Sequence, residues 1–297
     1  MQLIYTVKSH EYVTLKEVLR SYFKMSERLM LKLKRLDKIK VNNETSHLNK
    51  IINIGDNITC DFDYDEDNSN VVSSPIPLDI IYEDEAYLII NKQVGIPVHP
   101  SIEHYTDSLS NGVKNYFDKI NLHKKIRPVN RIDKNTSGIV IFAKNEYVQE
   151  SLIKQMKANN FIKEYLAIAN GIITEKNGTI NAPIARKEHS IIERSIASNG
   201  GTSITHFEVI STNVKDNYSI VKCLLETGRT HQIRVHFSHI GFPLLGDTLY
   251  GTSSTLIDRQ ALHSHFVQFV HPISNKKVSY TAPLPNDMQI LISKNCV

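Results

Sequence analysis

Short apolar runs rich in β-branched residues recur from residue 80 onwards, and they constrain the fold of this chain more than any other feature. The runs lie at residues 80–82, 87–90, 139–142, 165–168 and 219–225. Each has the length and composition of a β-strand. Helical periodicity is confined to residues 108–117 and 147–157. Because strands adjoin strands without a regular strand-helix-strand rhythm, the pattern predicts an α+β fold with a largely antiparallel mixed sheet.

The distribution of charge divides the chain into two parts. Residues 8–50 contain eleven Lys/Arg against five Asp/Glu, whereas residues 51–91 contain ten Asp/Glu and no Lys or Arg. Residues 61–70 are acidic and poor in apolar side chains, and serines and prolines follow, a composition typical of a solvated linker. We therefore predict a small N-terminal α/β domain at residues 10–65, an acidic linker at 66–77 and a larger domain at 78–290.

The N-terminal part predicts a pair of short amphipathic helices. Apolar residues recur at helical spacing over 15–23, and Ser26 is a good N-cap for a second helix. That second helix carries three candidate RNA-binding cations, Arg28, Lys32 and Arg35. A turn is expected at residues 41–43, and residues 53–56 precede a short strand. A solvated charged helix face would show the same pattern of cations.

Composition excludes several classes of protein. A hydrophobic fraction of 41% supports a substantial core, and no apolar run approaches the roughly 18–20 residues of a membrane helix. We see no secretory signal and expect a cytoplasmic protein without a membrane partner. The three cysteines, Cys60, Cys223 and Cys296, are distant and odd in number, so we expect reduced thiols. A net charge of +4 agrees with nucleic-acid binding without establishing it.

Two polar segments carry the chemistry. Residues 127–138 place a single carboxylate, Asp133, in a turn-rich loop before an apolar run, with hydroxyls and a glycine close by. In residues 226–236, Arg229 follows a glycine directly and is a natural partner for a buried aspartate. An isolated Arg-x-Asp is usually a surface ion pair, and Tyr165 in a strand would usually be a core aromatic. The companion motifs therefore decide the interpretation.

Residues 130–138, Asn-Arg-Ile-Asp-Lys-Asn-Thr-Ser-Gly, resemble the His-Arg-Leu-Asp-x-x-Thr-Ser-Gly signature of the RluA-type pseudouridine synthases. Residues 227–236, Thr-Gly-Arg-Thr-His-Gln-Ile-Arg-Val-His, resemble a second signature of that family, and the resemblance extends over about residues 78–285. The N-terminal segment resembles the S4 RNA-binding domain. Asn130 stands where the family usually has His, and Ile132 where it usually has Leu.

The resemblance implies cleavage of the N1–C1′ bond of a uridine in RNA, rotation of the uracil and rejoining through C5, without a cofactor or a metal. Asp133 would be the catalytic carboxylate, acting as a nucleophile at C1′ or as a base at C2′; the sequence leaves both routes open. Arg229 would supply the opposing charge. Tyr165 would stack on the uracil, and its hydroxyl would help to remove the C5 proton.

The RNA would be bound mainly through its phosphates. The target uridine must be turned out of its helix, at a cost of a few kcal/mol. Arg131 would fill the vacated space or contact a phosphate. Further phosphate contacts are expected from Lys92, Arg234 and the basic helix, which would make binding salt-dependent. By resemblance we expect a monomer that acts on large-subunit ribosomal RNA, with transfer RNA as the alternative.

Other functions fit the residues less well. The histidines at 231, 236, 239, 263 and 265 invite a metal site, but no Cys or acidic ligand joins them at a convincing spacing. A non-catalytic RNA-binding protein could lose Asp133, which is present with its motif. A glycosidase needs two carboxylates around one bond, and a Ser-His-Asp hydrolase needs a Gly-x-Ser-x-Gly elbow, which is absent.

Overall fold

The computed structural model describes residues 1–294, and residues 1–62 form a small sheet of their own, called here the N-terminal unit. Its elements are β1 (Gln2–Thr6), α1 (Leu15–Glu17), a π-helical turn (Val18–Tyr22), α2 (Glu27–Arg35), β2 (Ile39–Val41), β3 (Glu44–Thr45) and β4 (Asn57–Asp61). The antiparallel sheet has the order β1-β4-β2-β3. The side chain of Ser26 accepts a hydrogen bond from Leu29 N at 3.2 Å, so the predicted N-cap is confirmed.

Strand β1 was not predicted, and it moves the start of this unit ahead of residue 10. Leu3 and Val7 are buried against the apolar faces of the two helical segments, whose spacing was correctly predicted. The predicted turn at residues 41–43 joins β2 to β3, with Asn42 and Asn43 at φ 53° and 68°. Asparagine tolerates this left-handed conformation better than most residues.

The acidic segment after β4 contains no helix or strand up to residue 79, yet its Glu66 is not solvated. The carboxylate of Glu66 is 4% exposed and accepts hydrogen bonds from both Nη atoms of Arg127, at 2.6 and 2.7 Å. Lys32 of α2 donates to Glu66 at 3.0 Å and to Glu146 at 2.8 Å. We call these four residues the Glu66 cluster. The expectation of a solvated linker is therefore wrong at Glu66, because the cluster ties this segment to both parts of the chain.

Residues 80–294 form a second, larger unit. Its strands are β5 (Ile80–Glu83), β6 (Tyr87–Lys92), β7 (Ser137–Ala143), β8 (Ile162–Asn170), β9 (Asn177–Asn181), β10 (Ile184–Arg186), β11 (Arg194–Ile196), β12 (Ile204–Asn213), β13 (Tyr218–Leu225), β14 (Leu262–Val270) and β15 (Lys277–Thr281). Its helices are α3 (Leu109–Lys119), α4 (Glu146–Lys157), α5 (Gln232–His239) and α6 (Asn286–Ser293). All five predicted strands and both helices predicted for this part are confirmed within a few residues.

The large sheet has the order β5-β6-β7-β14-β8-β13-β12-β9, with β15 paired to β14, while β10 and β11 form a separate hairpin. In this sheet β7 and β14 are parallel and the other neighbours are antiparallel, which confirms the predicted α+β class. Strand β7 is buried on both faces. Val140 and Phe142 pack on the side of α3 and α5, whereas Ile139 and Ile141 pack on the side of α4.

Within residues 1–294, no helix is both long enough and apolar enough to cross a bilayer. Cys60 and Cys223 are buried free thiols, as expected, and Cys296 lies outside the described residues.

Candidate active site

A cavity of about 1420 Å³ opens beside the middle of the large sheet. Its lining comes from residues 97–101, residues 128–133, strand β8 and residues 225–230. Both polar segments singled out in the sequence therefore contribute to one cavity. It exceeds the 300–1,000 Å³ typical of pockets for drug-sized ligands, so it has room for part of a polymer.

The loop that carries Asp133 is fixed at both ends. At its start, Asn130 donates to Ile139 O and accepts from Ile141 N, both at 2.9 Å, so its amide group binds the backbone of β7. At its end, Gly138 has φ 110°, and a Cβ there would lie 2.2 Å from Ser264 O of the parallel strand β14. Only glycine fits this close approach. Asn130, one of the two departures from the family pattern, thus holds the loop against the sheet.

Asp133 is paired with Arg234, not with Arg229. Arg234 Nη1 donates to Asp133 Oδ2 at 3.0 Å, while Nε and Nη2 of the same guanidinium donate to the two oxygens of Asp247 at 2.7 and 2.9 Å. Arg234 lies on the buried face of α5, and the Asp247 carboxylate is 0% exposed. The predicted Asp133–Arg229 pair is therefore wrong, because the helix presents Arg234 to the carboxylate.

A second network approaches Asp133 through His231, which occupies the left-handed region at φ 58° just before α5. Its Nε2 lies 3.8 Å from Asp133 Oδ1, and its Nδ1 lies 2.8 Å from the hydroxyl of Tyr250. That hydroxyl also accepts from Arg194 N at 2.8 Å, so it joins His231 to the backbone of β11. Burial lowers the pKa of His231, more than the nearby carboxylates raise it.

Tyr165 lies on β8 with its ring in the cavity wall and is 7% exposed. Burial raises the pKa of its hydroxyl to about 12, with a further contribution from the negative charge of Asp133, while a hydrogen bond with Ser264 lowers it. The hydroxyl therefore keeps its proton at neutral pH. The structure places Tyr165 and Asp133 at the same cavity, as the sequence predicted.

Arg229 lines the cavity but is exposed, and its Nε donates to Thr202 O at 3.2 Å. Its loop is held by Gln232, whose side-chain oxygen accepts from Arg229 N at 3.0 Å and from the Thr227 hydroxyl at 2.8 Å. Gln232 also ties this loop to β12, since its amide donates to Ile204 O at 3.0 Å.

Two of the predicted phosphate contacts are wrong because the side chains are buried. Lys92 is 0% exposed, and its ammonium donates to the backbone oxygens of Gln93, Ile96 and Lys134 at 2.8–2.9 Å. Burial lowers the pKa of Lys92 to about 7. The guanidinium of Arg234 donates its hydrogen bonds to the carboxylates of Asp133 and Asp247 instead of to a phosphate.

The other predicted RNA contacts have different surroundings. Lys32 is engaged in the Glu66 cluster and is only partly accessible. Arg28 and Arg35 are exposed on α2, and Arg131 is exposed at the cavity. The pKa of His99 is lowered by its own burial and, second, by the positive charge of Arg131. These three arginines remain accessible to RNA.

Sequence reasoning missed three residues that organise the site, Gln232, Asp247 and Tyr250. Asp247 and Tyr250 lie within residues 78–285, over which the sequence resembles the RluA-type synthases. That resemblance was the available signal, but only the fold shows that these two residues contact Arg234 and His231.

Together, these residues have the geometry of an enzyme active site built around a single carboxylate. A carboxylate faces a large open cavity, a buried guanidinium compensates its charge, and a tyrosine ring lies close by. Such a site suits chemistry at one nucleotide of a larger polymer.

Comparison with known proteins gives the family. Residues 86–239 match the family model described as RNA pseudouridylate synthase. An uncharacterized RNA pseudouridine synthase of Bacillus subtilis, YhcT, is 40% identical over 274 residues, which cover 92% of this chain and 90% of that protein. The ribosomal large subunit pseudouridine synthase D of Zymomonas mobilis is 40% identical over 231 residues, 73% of this chain and 72% of that protein. Human RNA pseudouridylate synthase domain containing 1 superposes with a TM-score of 0.57 at 27% identity, over 72% of this chain and 86% of that chain.

The chain therefore belongs to the RNA pseudouridylate synthase family. It is an isomerase that converts uridine in RNA to pseudouridine.

Proposed function

We propose that Asp133 is the catalytic carboxylate and that large-subunit ribosomal RNA is the substrate. The catalytic role of Asp133 is supported by its position at the cavity. Its carboxylate is paired with the guanidinium of Arg234, which is itself bound to a second carboxylate, that of Asp247. The second part is supported by relatives named ribosomal large subunit pseudouridine synthase D, which are 36–40% identical to this chain.

The reaction breaks the N1–C1′ bond and forms a C5–C1′ bond, and nothing leaves the site. By one route Asp133 attacks C1′, uracil leaves C1′ with the bonding pair on N1, and C5 of the rotated uracil later displaces the carboxylate. By the other route Asp133 removes the C2′ proton while N1 departs, and it returns that proton when C5 attacks. In both routes C5 finally loses its proton and N1 gains one, so the product is an isomer, and Asp133 begins and ends as a carboxylate.

Arg234 acts by holding this carboxylate in place. Two of its donors bind Asp247, so the third is aimed at Asp133 without freedom to swing away. The guanidinium also offsets the cost of keeping a carboxylate partly shielded from water. Asp247 is thereby a positioning residue, because it acts on the reaction through Arg234.

Tyr165 supplies an aromatic face for the uracil and a hydroxyl near the site where C5 is deprotonated. With a pKa of about 12, the hydroxyl is a poor base in the resting site. The C5 proton becomes easy to remove only after the C5–C1′ bond has formed, because its loss restores the conjugated uracil ring. Loss of the C5 proton after the uracil has rotated therefore suits Tyr165 better than any earlier step.

The N-terminal unit, in this proposal, is an S4-like RNA-binding domain. Its α2 helix carries Arg28 and Arg35, two exposed arginines seven residues apart and hence on one face. The contacts of Lys32 with the Glu66 cluster orient that helix relative to the larger unit. Phosphate contacts from this face would add to affinity without reading bases.

The decisive experiment is pseudouridine mapping across all cellular RNA, with and without the gene, followed by complementation with Asp133→Asn. The substitution removes the charge and nearly preserves the shape. We expect it to restore no pseudouridine, whereas Asp118→Asn, at a surface ion pair with Lys114, restores all of it. A restored modification would refute the role of Asp133. Pseudouridine lost only from transfer RNA would refute the proposed substrate.

The double substitution Arg28→Gln and Arg35→Gln tests the RNA-binding face. Each lost phosphate contact on single-stranded RNA should reduce the slope of log Kd against log salt by about 0.7. The control is Lys215→Gln, at an exposed position in the turn between β12 and β13. An unchanged slope in the double variant would refute an RNA contact by α2.

A further inference from the structure

Lys163 is a cavity residue to which the reaction described above gives no role. It precedes Tyr165 by two residues on β8, so the two side chains project from the same face of the strand, about 6.6 Å apart along it. Both line the cavity. The ammonium of Lys163 lies against Gly228, where an added Cβ would be 3.5 Å from Nζ.

The charge of Lys163 is not balanced by a neighbouring carboxylate. Burial lowers its pKa, and no acidic side chain contributes in the opposite direction. Lys32 shows the contrast, since two carboxylates raise its pKa in spite of burial. Within residues 1–294, no carboxylate oxygen lies within ion-pair distance of Lys163 Nζ. The partly buried side chain of Lys163 therefore presents a cation at the cavity wall that no carboxylate neutralises.

Arg229 directly follows the same glycine in the chain and lines the same cavity. Its guanidinium lies against Gly201, where a Cβ would be 2.7 Å from Cζ, and its Nε is held by Thr202 O. Within the described residues, the two Nη groups have no hydrogen-bond partner, so they remain available to a ligand. Gln232 fixes the backbone between the two cations.

We propose that Lys163 and Arg229 form a binding site for a backbone phosphate that flanks the isomerised uridine. This inference rests on the proposed function of the cavity. Gly228, which lies against Lys163 Nζ and directly precedes Arg229, has no side chain to obstruct an approaching phosphate. An ammonium and a planar guanidinium fork are the two groups that proteins use most for phosphate oxygens. The proximity of Lys163 to Tyr165 makes the phosphate one that is next to the target nucleotide.

The phosphate would compensate the charge that the free protein leaves unbalanced. It would also tie the ribose to the protein equally before and during the reaction, so the contact would add affinity without changing the rate of the bound complex. Lys163 and Arg229 are thus binding residues, and neither takes part in proton transfer.

The test uses the full chain and, as substrate, an unmodified transcript of the RNA segment that loses its pseudouridine when the gene is deleted. Lys163→Met removes the charge at similar length, Lys163→Arg retains a charge, and Arg229→Met removes the second cation. The control is Lys215→Met, at the far end of β13 from Gly228. Single-turnover rates are measured against enzyme concentration and salt, and melting is measured by circular dichroism.

We expect Lys163→Met and Arg229→Met each to raise the enzyme concentration that gives half of the maximal rate by about 10- to 100-fold. This is the loss of affinity expected for a lost hydrogen bond to a charged group. The rate at saturating enzyme should stay within about twofold, and the salt slope should fall by about 0.7. Lys163→Arg should recover most of the affinity, and the control should match the wild type. All melting temperatures should agree.

A loss of saturating rate with unchanged half-saturation and salt slope would overturn the proposal, since Lys163 would then act on the chemistry. A loss of affinity that tracks a lower melting temperature and is not rescued by Lys163→Arg would also overturn it. Asp133→Asn is run in parallel. If that variant turns over, the proposed function fails, whereas the salt slopes still decide whether the two cations bind phosphate.

Discussion

Glu66 offers the sharpest test of how the N-terminal unit is attached. Burial raises the pKa of this carboxyl, but hydrogen bonds and charge from Arg127 and Lys32 outweigh it and bring the pKa from 4.5 to about 2. Since one pKa unit is worth about 1.4 kcal/mol, the ionised carboxylate stabilises the fold by ~3 kcal/mol at neutral pH. That value falls within the range of about 3–5 kcal/mol for breaking a buried ion pair.

The substitution to make is Glu66→Gln, which keeps the size of the side chain and removes its charge. It leaves Arg127 nearly buried with only a neutral partner at that position. We expect the free energy of unfolding to fall by ~3 kcal/mol at pH 7. Because the chain contains no tryptophan, urea unfolding is best followed by far-UV circular dichroism.

The pH dependence gives an independent check. The pKa of Glu66 is lower in the folded than in the unfolded chain, so the unfolded chain binds the proton first as the pH falls. The stabilisation is therefore complete above about pH 4.5 and is lost between about pH 4.5 and 2. The variant should lack this part of the acid-induced loss of stability.

A matched control is Glu193→Gln, which breaks the more exposed pair with Lys187. Exposed pairs are typically worth less than about 1 kcal/mol. The role of the Glu66 cluster would be refuted if Glu66→Gln lowered the free energy of unfolding no more than this control and lost stability below pH 4.5 as the wild type does. The Glu66 cluster would then not stabilise the attachment of the N-terminal unit.

Three further outcomes follow from the site. Arg234→Met should lower the free energy of unfolding by about 3–5 kcal/mol, because it leaves the carboxylate of Asp247 buried without its partner, and urea unfolding measures this directly. Gly138→Ala should reduce both melting temperature and activity, since the new methyl group would collide with Ser264 O; a melting curve like that of the wild type would contradict the close approach. Asn130→Leu should lower the single-turnover rate more than the affinity for RNA, because the Asp133 loop loses two hydrogen bonds to β7. Equal effects on rate and affinity would contradict that role.

Local patterns in the sequence predicted most of the elements that build the larger unit. Strand β7 was predictable because its apolar run is continuous, as expected of a strand buried on both faces. Ser26 was predictable because a serine before an amphipathic run satisfies a free helix N–H. Strand β1 was missed, since its five residues contribute little pattern before they pair with β4.

The partner of Asp133 was beyond the reach of local patterns. Arg229 and Arg234 lie in one motif, and both reach the neighbourhood of the cavity. The left-handed residue His231 starts α5 between them, so only Arg234 falls on the buried face of that helix. Lys92 was misjudged for a related reason. A lysine in a strand suggests solvent, but this one ends β6, an interior strand of the sheet, and binds three backbone oxygens.

The Glu66 cluster also bears on how a substrate is chosen. With α2 binding RNA as proposed, the cluster sets a constant span between that helix and the mouth of the cavity. A folded RNA would then have to offer its uridine at the matching separation from the stretch gripped by α2. Lengthening or shortening the intervening stem would exclude an otherwise reactive uridine. The enzyme would then select its uridine by distance along the folded RNA and not by base sequence.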